Sequence, residues 1–473
     1  MRKLLLVTVI LSLTLFACKK EHTDNNLPPA DGLVVPVNIN PYQKGYAISP
    51  TFEGLSFETA ILTKNPEYLN ENNSILIQLI KNLGPGILRI GGDTSDETEW
   101  TGKPRDPNTP TDVLTTSDID RLSAFSRASG WQVLYGLNLG NNNVAAAASE
   151  ASYVSNSVNT NLYAIQFGNE PDIYHMFGLR SPSYDVNNFI TDWDAYYSAI
   201  KSVAPQAAFA GPDVANNSDW VEAFAQSRKS KVKLLDAHYY ITGPASSPAI
   251  NYHNLLDQNF FLQYYLQKIS AASTQAQLPF RMTECNSIYG GGKAGASDVF
   301  AASLWSLDFM WQVAENGGQG VNFHDGQGLI YSPILMSNGV VTAMPEYYAM
   351  LAFKYGSTDG RIIPATIDAD HSNNNCNVYA CANADGTMSI TLINKETTKD
   401  FSFKVQLTKQ ASSIDVVRLT APSVTSATGI TFAGKMVGAD GNFTPSVTEQ
   451  YTVNQNNFTV NVKASSAAVV IVH

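Results

Sequence analysis

From about residue 52 to residue 352, the sequence alternates eight short apolar segments with longer amphipathic segments. The short segments have the length and residue types of buried strands, and the longer ones have the apolar period of helices. Strands that alternate with helices in this way predict parallel βα units. The predicted strands are residues 52–59, 86–94, 131–140, 163–171, 207–214, 233–241, 279–287 and 319–326.

Eight such units in about 300 residues match the size of a (β/α)8 TIM barrel, and a doubly wound open sheet is the main alternative. The ends of the predicted strands favour the barrel, because strand after strand ends in polar residues. In a closed barrel all these ends meet at one mouth, whereas the edge strands of an open sheet would lie away from it. The polar residues at these ends are Glu58, Asp93, Asn138, Asn169, Glu170, Asp213, His238, Tyr240, Glu284, Asn286, His324 and Asp325.

After about residue 353 the sequence changes to β segments with alternating apolar and polar residues and turn signals such as Ala-Asp-Gly at 384–386. This pattern predicts an antiparallel β-sandwich. Residues 33–50 have the same character, and we expect them to add a strand to that sandwich. The predicted fold class is therefore α/β, with a (β/α)8 catalytic barrel at residues 51–352 and a C-terminal antiparallel β-sandwich domain at residues 353–473.

The first 18 residues join two basic residues to an apolar run that ends in Ala17 and Cys18. The run is too short to span a membrane and predicts a secretory signal. Leu-Phe-Ala-Cys at its end resembles a bacterial lipoprotein cleavage box. We therefore predict lipidation of Cys18, a flexible tether at residues 19–32, and attachment to a membrane of the cell envelope by the N-terminal lipid anchor only. A plain signal peptide with a chance cysteine is the alternative.

The formal net charge is −11, with no basic cluster outside the signal, which argues against binding to nucleic acid. One anionic sugar can still be held locally, although a long anionic polysaccharide would be repelled. The other cysteines, Cys285, Cys376 and Cys381, lack the ligand spacing of a zinc site. Cys376 and Cys381 lie an odd number of positions apart on one predicted strand, so they face opposite sides, and we expect free thiols.

Two carboxylates carry the chemistry that the barrel implies. Glu170 follows Asn169 at the tip of the fourth predicted strand, and Glu284 lies at the tip of the seventh, so both face one mouth. Cleavage of a glycosidic bond needs such a pair, and a separation of about 5 to 5.5 Å predicts double displacement with retention. Each negative charge is expected to raise the pKa of the other, so that one carboxyl stays protonated. A strand-end Glu that merely caps or forms a surface ion pair is the alternative for each.

Neighbouring residues sharpen this prediction. Asn169 places an amide where it can bind the sugar 2-hydroxyl, and Pro171 forces a turn that keeps Glu170 at the rim. Tyr240 ends the sixth predicted strand, where its hydroxyl can hold Glu284 ionised. Arg89 is expected to brace the barrel interior near the carboxylates.

A metal site is an alternative interpretation of three other strand-end residues, His238, His324 and Asp325. They lie on different predicted strands without an i, i+4 pair, so they are predicted to line the pocket instead. Gly91 and Gly92 follow a strand, but the segment has neither a dinucleotide-binding glycine pattern nor a P-loop lysine, so a nucleotide site is weakly supported.

These residues resemble the clan of retaining (β/α)8 glycosidases. More narrowly, the segments FEGLSFET, LRIGGDTSD, FGNEPD, DAHYY and TECNSIYGGG resemble glycoside hydrolase family 79, which contains β-glucuronidases and heparanases. The resemblance covers the barrel and the sandwich. It implies that Glu170 is the acid/base, Glu284 the nucleophile, Asn169 the contact to the 2-hydroxyl and Tyr240 the partner of the nucleophile. It implies no metal and no cofactor.

The resemblance also implies a pocket for the uronic carboxylate, built from Tyr289, the backbone N–H groups of Gly290 and Gly291, and Tyr331. Neutral donors of this kind hold one carboxylate without a lysine cluster, which suits a chain of net charge −11.

Two further residues bear on the substrate. Glu58 matches an acidic position of family 79 whose side chain contacts the ring hydroxyls of the sugar. Asp93 stands at a position where the heparanase-like members of that family have threonine. Basic segments that grip heparan sulfate are missing, which favours removal of a terminal glucuronate.

We therefore expect an exported, lipid-anchored retaining glycoside hydrolase that removes terminal β-linked glucuronic acid from glycans or glycosides. Within the same clan, the alternative is a glycosidase for a neutral sugar, of the β-glucosidase or arabinofuranosidase type. From a different class, the alternative is a non-catalytic surface lipoprotein that binds glycans.

Overall fold

The computed structural model describes residues 27–358, 360–446, 449–453 and 455–473. The predicted signal with Cys18 and the tether up to residue 26 lie outside the described residues. Within the described ranges, none of the helices has both the length and the apolar character needed to cross a lipid bilayer.

Eight parallel strands form one sheet in the order β4-β3-β2-β1-β8-β7-β6-β5, and a parallel bridge between Ile165 and Phe209 joins its two ends. The strands follow one another around the barrel in chain order, so the (β/α)8 barrel is confirmed and the open sheet, whose strand order would reverse, is wrong. The strands are β1 Gly54–Glu58, β2 Ile87–Gly91, β3 Gln132–Leu137, β4 Leu162–Phe167, β5 Ala210–Val214, β6 Leu234–Thr242, β7 Phe280–Ile288 and β8 Val321–Asp325.

One long helix follows each strand: α1 Ser74–Asn82, α2 Thr116–Ser129, α3 Val144–Val158, α4 Val186–Val203, α5 Ser218–Arg228, α6 Phe260–Ala276, α7 Phe300–Glu315 and α8 Pro345–Gly356. Five of these helices begin after a side chain that accepts a backbone N–H of the first turn: Asn73, Asn143, Asp185, Asn217 and Asn259.

Short elements lie between the main strands and helices of both domains. Two are single α-helical turns and four are 3-10 turns: Ile61–Lys64, His253–Leu256, Asp93–Ser95, Asn159–Asn161, Pro171–Phe177 and Ala369–His371. Two strand pairs lie outside the main sheets: Glu99–Trp100 with Val113–Leu114, and Ile334–Ser337 with Val340–Ala343.

Every residue of β2, β5, β7 and β8 is buried, as expected for strands covered by side chains inside and by helices outside. At the N-terminal ends of the strands, the buried guanidinium of Arg281 donates hydrogen bonds to the carbonyls of Thr51, Phe52, Gln319 and Val321. These acceptors satisfy a charge that burial would otherwise make costly. The barrel is thereby closed at this end, and the opposite end forms the mouth.

The sandwich consists of two sheets. The seven-stranded sheet contains Arg361–Ile363, Cys376–Ala382, Met388–Asn394, Ser466–Val472, Ser413–Thr420, Thr431–Phe432 and Glu449–Thr452, and the four-stranded sheet contains Ala365–Ile367, Leu33–Ile39, Phe401–Leu407 and Asn457–Val462.

Leu33–Ile39 is the N-terminal strand of the described chain, and it lies inside this four-stranded sheet. It pairs antiparallel with Ala365–Ile367 but parallel with Phe401–Leu407. The pairing with Phe401–Leu407 departs from the purely antiparallel sandwich that the alternation predicted.

The sandwich packs against α7 and α8 of the barrel. Trp311 of α7 stacks on Tyr379 of the sandwich with 5.6 Å between ring centroids, and Phe353 of α8 packs against the same indole. Residues of both domains belong to one continuous apolar core.

All three described cysteines are free and buried, as predicted. Cys376 packs in the core of the sandwich and Cys381 in the core shared with the barrel, which confirms that they face opposite sides of their strand.

Candidate active site

Glu170 and Glu284 meet at the mouth of the barrel. One carboxylate oxygen of each, together with a ring nitrogen of His238, lies in a cluster whose atoms are all within 4.8 Å of one another. Both side chains are largely buried, with 16% of Glu170 and 7% of Glu284 exposed. The closed barrel thus brings the fourth and seventh strands to a common opening, as the sequence predicted.

The backbone turns sharply at Glu170. This residue has φ of 53° in the left-handed region, which is uncommon for a residue with a side chain, and a 3-10 turn starts at Pro171. Its N–H donates to the carbonyl of Asp213 at the end of β5 over 2.9 Å. The predicted turn therefore holds the carboxylate at the rim, where the neighbouring strand fixes its backbone.

Glu284 is surrounded by donors. Arg89 Nη1 donates to Oε2 over 2.5 Å, Tyr240 donates to Oε1 over 2.7 Å, and His324 Nδ1 lies 3.4 Å from Oε1. Burial alone would raise the pKa of Glu284, but His324, His238 and Arg89, with the Tyr240 hydrogen bond, lower it to about 2. The lowered pKa agrees with the expectation that one carboxyl of the pair stays ionised and that Tyr240 helps to keep Glu284 in that state.

His238 bridges two carboxylates. Its Nδ1 lies 2.9 Å from Glu170 Oε1 and its Nε2 lies 2.8 Å from Asp213 Oδ1. Burial would lower the pKa of His238, but the charge of Asp213 and the hydrogen bonds to both carboxylates raise it well above its usual value. The ring is thus a doubly protonated donor.

This protonation state also bears on a second set of possible metal ligands, which shares only His238 with the set that the sequence suggested. Glu170, His238 and Glu284 have the composition of a ligand set, but a metal needs a free nitrogen lone pair. Both ring nitrogens of His238 are already hydrogen-bonded, so these residues do not fit a metal.

Arg89 braces the interior as predicted. It is fully buried, and its Nη2 donates to Asn169 Oδ1 over 2.8 Å and to Asp213 Oδ2 over 2.6 Å. The amide group of Asn169 in turn donates to Asp93 Oδ1 over 2.9 Å. Because Arg89 fixes the amide oxygen, the amide nitrogen of Asn169 is held toward Asp93 and keeps one N–H for a ligand.

Asp93 and Glu58 form the acidic side of the mouth. Glu58 Oε2 accepts hydrogen bonds from the N–H and the hydroxyl of Thr94. Burial, followed by the charges of Glu58, Glu284 and Glu170, raises the pKa of Asp93 to about 7.

The segments after β7 and β8 form the opposite rim. The rings of Tyr289 and Tyr331 lie 6.4 and 6.1 Å from that of Tyr240, centroid to centroid. Gly290 and Gly291 have φ of 85° and 90°, which glycine adopts without strain. Their N–H groups donate to no residue that the structure describes, and the carbonyl of Gly291 accepts from Ile330 N.

Comparison with known proteins covers both domains. Residues 378–469 match the model of the glycosyl hydrolase family 79 C-terminal beta domain. A β-glucuronidase from Aspergillus niger is 25% identical over 373 residues, which are 67% of each chain. A β-glucuronidase from Neurospora crassa is 23% identical over 64% of this chain and 63% of its own length. A solved 4-O-α-L-rhamnosyl-β-D-glucuronidase from Fusarium oxysporum is 22% identical and superposes with a TM-score of 0.72 over 92% of this chain and 99% of its own. The chain is thus similar to glycoside hydrolase family 79 proteins across both domains, and residues 378–469 match the C-terminal domain of that family. It is a glycoside hydrolase.

This hydrolase contains positioning residues that the sequence did not reveal. Asp96 is buried and accepts the N–H groups of Leu139, Gly140 and Asn169 and the hydroxyl of Tyr174. It therefore fixes the backbone of the residue before Glu170. The only sequence signal was its place in the polar segment after the second strand.

Asp213 was recognised only as a polar strand end. In the structure it accepts hydrogen bonds from Arg89, His238 and Thr283, and its own N–H donates to Asp236. Burial would raise the pKa of Asp213, but Arg89 and His238 lower it below its usual value.

One predicted pocket residue of the hydrolase lies elsewhere. His324 lines the mouth, with Nδ1 3.0 Å from the Tyr240 hydroxyl, but Asp325 accepts hydrogen bonds from Tyr68 and Ile334. Successive strand residues face opposite sides, so Asp325 points away from the mouth when His324 points into it.

Proposed function

We propose that this hydrolase removes terminal β-linked glucuronic acid from glycans or glycosides by double displacement with retention. The observation that carries the proposal is the separation of Glu170 and Glu284, whose nearest oxygens lie within 4.8 Å. Retaining enzymes place the pair about 5 to 5.5 Å apart, whereas inverting enzymes need about 6.5 to 9.5 Å for an intervening water.

In the first step Glu284 attacks the anomeric carbon and Glu170 protonates the leaving oxygen. A pKa of about 2 keeps Glu284 ionised at every pH where the protein would work. Arg89 and Tyr240 each bind one of its oxygens and thus orient it. A covalent glycosyl ester on Glu284 and a free aglycone result.

In the second step Glu170, now a carboxylate, takes a proton from water as the water attacks the same carbon. The ester bond to Glu284 breaks, glucuronic acid leaves with its configuration retained, and Glu170 regains its proton. His238 holds Glu170 in place and stabilises it while it is ionised, because its N–H groups connect Glu170 to Asp213.

The uronate carboxylate is assigned to the rim after β7 and β8. Tyr289, Tyr331 and the N–H groups of Gly290 and Gly291 supply neutral donors there, next to Tyr240. The names of the Aspergillus and Neurospora relatives and of the Fusarium structure support a glucuronide as the substrate.

The test is a panel of 4-nitrophenyl glycosides: the β-D-glucuronide, the β-D-glucoside and the α-L-arabinofuranoside. We expect the wild type to hydrolyse the glucuronide and Glu284→Ala to have no activity. Glu170→Ala should retain slow hydrolysis, but only of substrates with a good leaving group such as 4-nitrophenolate. Preference for the glucoside or arabinofuranoside would favour a neutral sugar. Sugar binding without any hydrolysis would favour a glycan-binding protein. Proton NMR of the first product anomer distinguishes retention from inversion.

We also propose that the chain is exported and carries a lipid on Cys18 as its membrane anchor, because Leu-Phe-Ala-Cys follows the apolar N-terminal run. Expression in a bacterial host fed an alkyne fatty acid should label the wild type in the membrane fraction. Cys18→Ser should remove the label and release the protein; equal labelling of both would contradict the proposal.

A further inference from the structure

A second cavity, of about 430 Å³, lies outside the barrel between α6, α7 and the sandwich. We call it the interdomain cleft, and its volume is in the range of about 300 to 1,000 Å³ that small-molecule sites occupy. Its lining shares no residue with the active site described above. Ile241 of β6 lines the cleft, whereas Tyr240 beside it faces Glu284, so strand β6 separates the two cavities.

The floor of the interdomain cleft is an ion pair that is already satisfied. Lys395 Nζ lies 2.8 Å from Asp308 Oδ2, and each side chain is 5% exposed. Asp308 also accepts hydrogen bonds from Gln312, Asn377 and Tyr379. Because this carboxylate is saturated and its charge is balanced, the floor offers no free charge to an ionic ligand.

The walls of the cleft are rich in side-chain amides. Gln258, Gln263 and Gln267 line it, are exposed, and form no side-chain hydrogen bond to any residue that the structure describes. Asn316, the residue that follows α7, also lines the cleft. An amide donates and accepts at once, which matches the hydroxyl groups of a sugar.

Apolar side chains lie between these amides. Leu262 of α6, Trp305 of α7 and Ile367 and Val378 of the sandwich contribute to the lining. Apolar side chains of this kind can pack against the C–H groups on the face of a sugar ring, while the amides hydrogen-bond to the hydroxyl groups at the edge of the ring.

Exposed aromatic rings adjoin the amide wall on the same helix. Phe260 is 71% and Tyr264 53% exposed. Residues three and four positions apart are neighbours on a helix, so this aromatic pair lies beside Gln263 and Gln267. Apolar rings left in water next to a polar cleft mark a binding surface rather than a packing face.

We propose that the interdomain cleft binds uncharged sugar residues of a glycan, away from the bond that is hydrolysed. The only cation among the described lining residues is Lys395, which is paired, and the acidic Asp257 and Glu315 also line the cleft. The charge of Asp257 would repel a uronate, so the ligand is a neutral glycan segment.

The experiment measures binding of cellohexaose, xylohexaose and mannohexaose by calorimetry, with hexagalacturonate as the charged probe. The wild type is expected to bind at least one neutral hexasaccharide and to bind hexagalacturonate more weakly. A double variant, Gln263→Ala with Gln267→Ala, should bind at least tenfold more weakly, because two amide partners are lost. Tyr264→Ala should also weaken binding.

Gln206→Ala is the matched control, since Gln206 is an exposed glutamine outside the cleft, and it should leave binding unchanged. All variants should keep the wild-type melting temperature and kcat/KM on 4-nitrophenyl β-D-glucuronide. No binding of any neutral hexasaccharide, tighter binding of hexagalacturonate, or equal affinity in the double variant would overturn the proposal. Binding needs no hydrolysis, so the outcome is independent of the proposed function.

Discussion

Two tyrosines of the mouth differ in what their hydroxyl groups reach. The rings of Tyr240 and Tyr331 lie 6.1 Å apart, but Tyr240 donates to Glu284, whereas the hydroxyl of Tyr331 lies 3.1 Å from His324. A hydroxyl on the nucleophile acts on every substrate. Under the proposed function, the hydroxyl of Tyr331 at the uronate rim acts only on a substrate that carries a carboxylate.

Tyr240→Phe removes a hydrogen bond to an ionised group, which contributes about 1.5 to 3 kcal/mol. We expect kcat/KM to fall roughly 10- to 100-fold on the 4-nitrophenyl glucuronide and by the same factor on the glucoside. Tyr331→Phe is the matched control and should reduce kcat/KM on the glucuronide much more than on the glucoside. If Tyr240→Phe and Tyr331→Phe changed the ratio of kcat/KM on the glucuronide to that on the glucoside by the same factor, the two tyrosines would not have separate roles.

Asp93 is predicted to set part of the pH dependence. Its pKa of about 7 means that it is neutral below this pH and negative above it, where it faces Glu58 and the anionic substrate. We expect KM for the glucuronide to rise as the pH passes through about 7. Asp93→Asn imitates the neutral acid, so in this variant the rise should vanish between pH 6 and 8 in steady-state assays.

The glucoside serves as the control for this pH effect, because it carries no charge that ionised Asp93 could repel. Its KM should change little across the same interval in the wild type. A rise in KM that survives in Asp93→Asn would assign the effect to another group.

At the scale of elements, β6 serves both sides of the barrel wall. His238 and Tyr240 are two positions apart and face the mouth, while Tyr239 stacks on Phe309 of α7 at 5.3 Å and Ile241 lines the interdomain cleft. This one strand therefore positions both His238, which contacts Glu170, and Tyr240, which contacts Glu284. A shift of that register by one residue would exchange the two sets.

His238→Gln tests the link from β6 to the acid/base. Glutamine cannot carry the positive charge that connects Glu170 to Asp213. Protonation of the leaving oxygen should suffer, so we expect kcat/KM to fall at least tenfold more on methyl β-D-glucuronide than on the 4-nitrophenyl glucuronide. His253→Gln, at an exposed histidine, is the control and should change neither. Equal losses on both substrates would indicate a structural role alone.

The elements were predictable from the sequence because strand and helix periods are local, and the polar strand ends followed from barrel topology. Glu170, Glu284, Tyr240 and Arg89 were therefore placed correctly. Apart from the contact of Tyr240 with Glu284, the hydrogen-bond partners were not predictable, because they depend on the stagger between neighbouring strands. This explains why the role of Asp96 was missed, and why the contribution of His324 and His238 to the lowered pKa of Glu284 was not foreseen.

At the scale of the whole molecule, the two ends of the described chain meet in the sandwich, and the sandwich shares its core with the barrel. Leu33–Ile39 lies between Ala365–Ile367 and Phe401–Leu407. Trp311 stacking on Tyr379 continues the core across the domain junction. The two domains are therefore expected to unfold together, although each has its own sheet.

Val37→Ala tests this coupling, because Val37 is fully buried in the N-terminal strand. Two lost methyl groups and the cavity left behind should lower the free energy of unfolding by roughly 2 kcal/mol. Val34→Ala is the matched control: Val34 lies in the same strand but is 40% exposed, so the loss should be much smaller. All six tryptophans lie in the barrel, and of these Trp311 contacts Tyr379 of the sandwich, so tryptophan fluorescence during urea unfolding reports mainly on the barrel. If the fluorescence midpoint does not move in Val37→Ala while circular dichroism shows early loss of strand signal, the domains unfold separately and the shared core does not couple them.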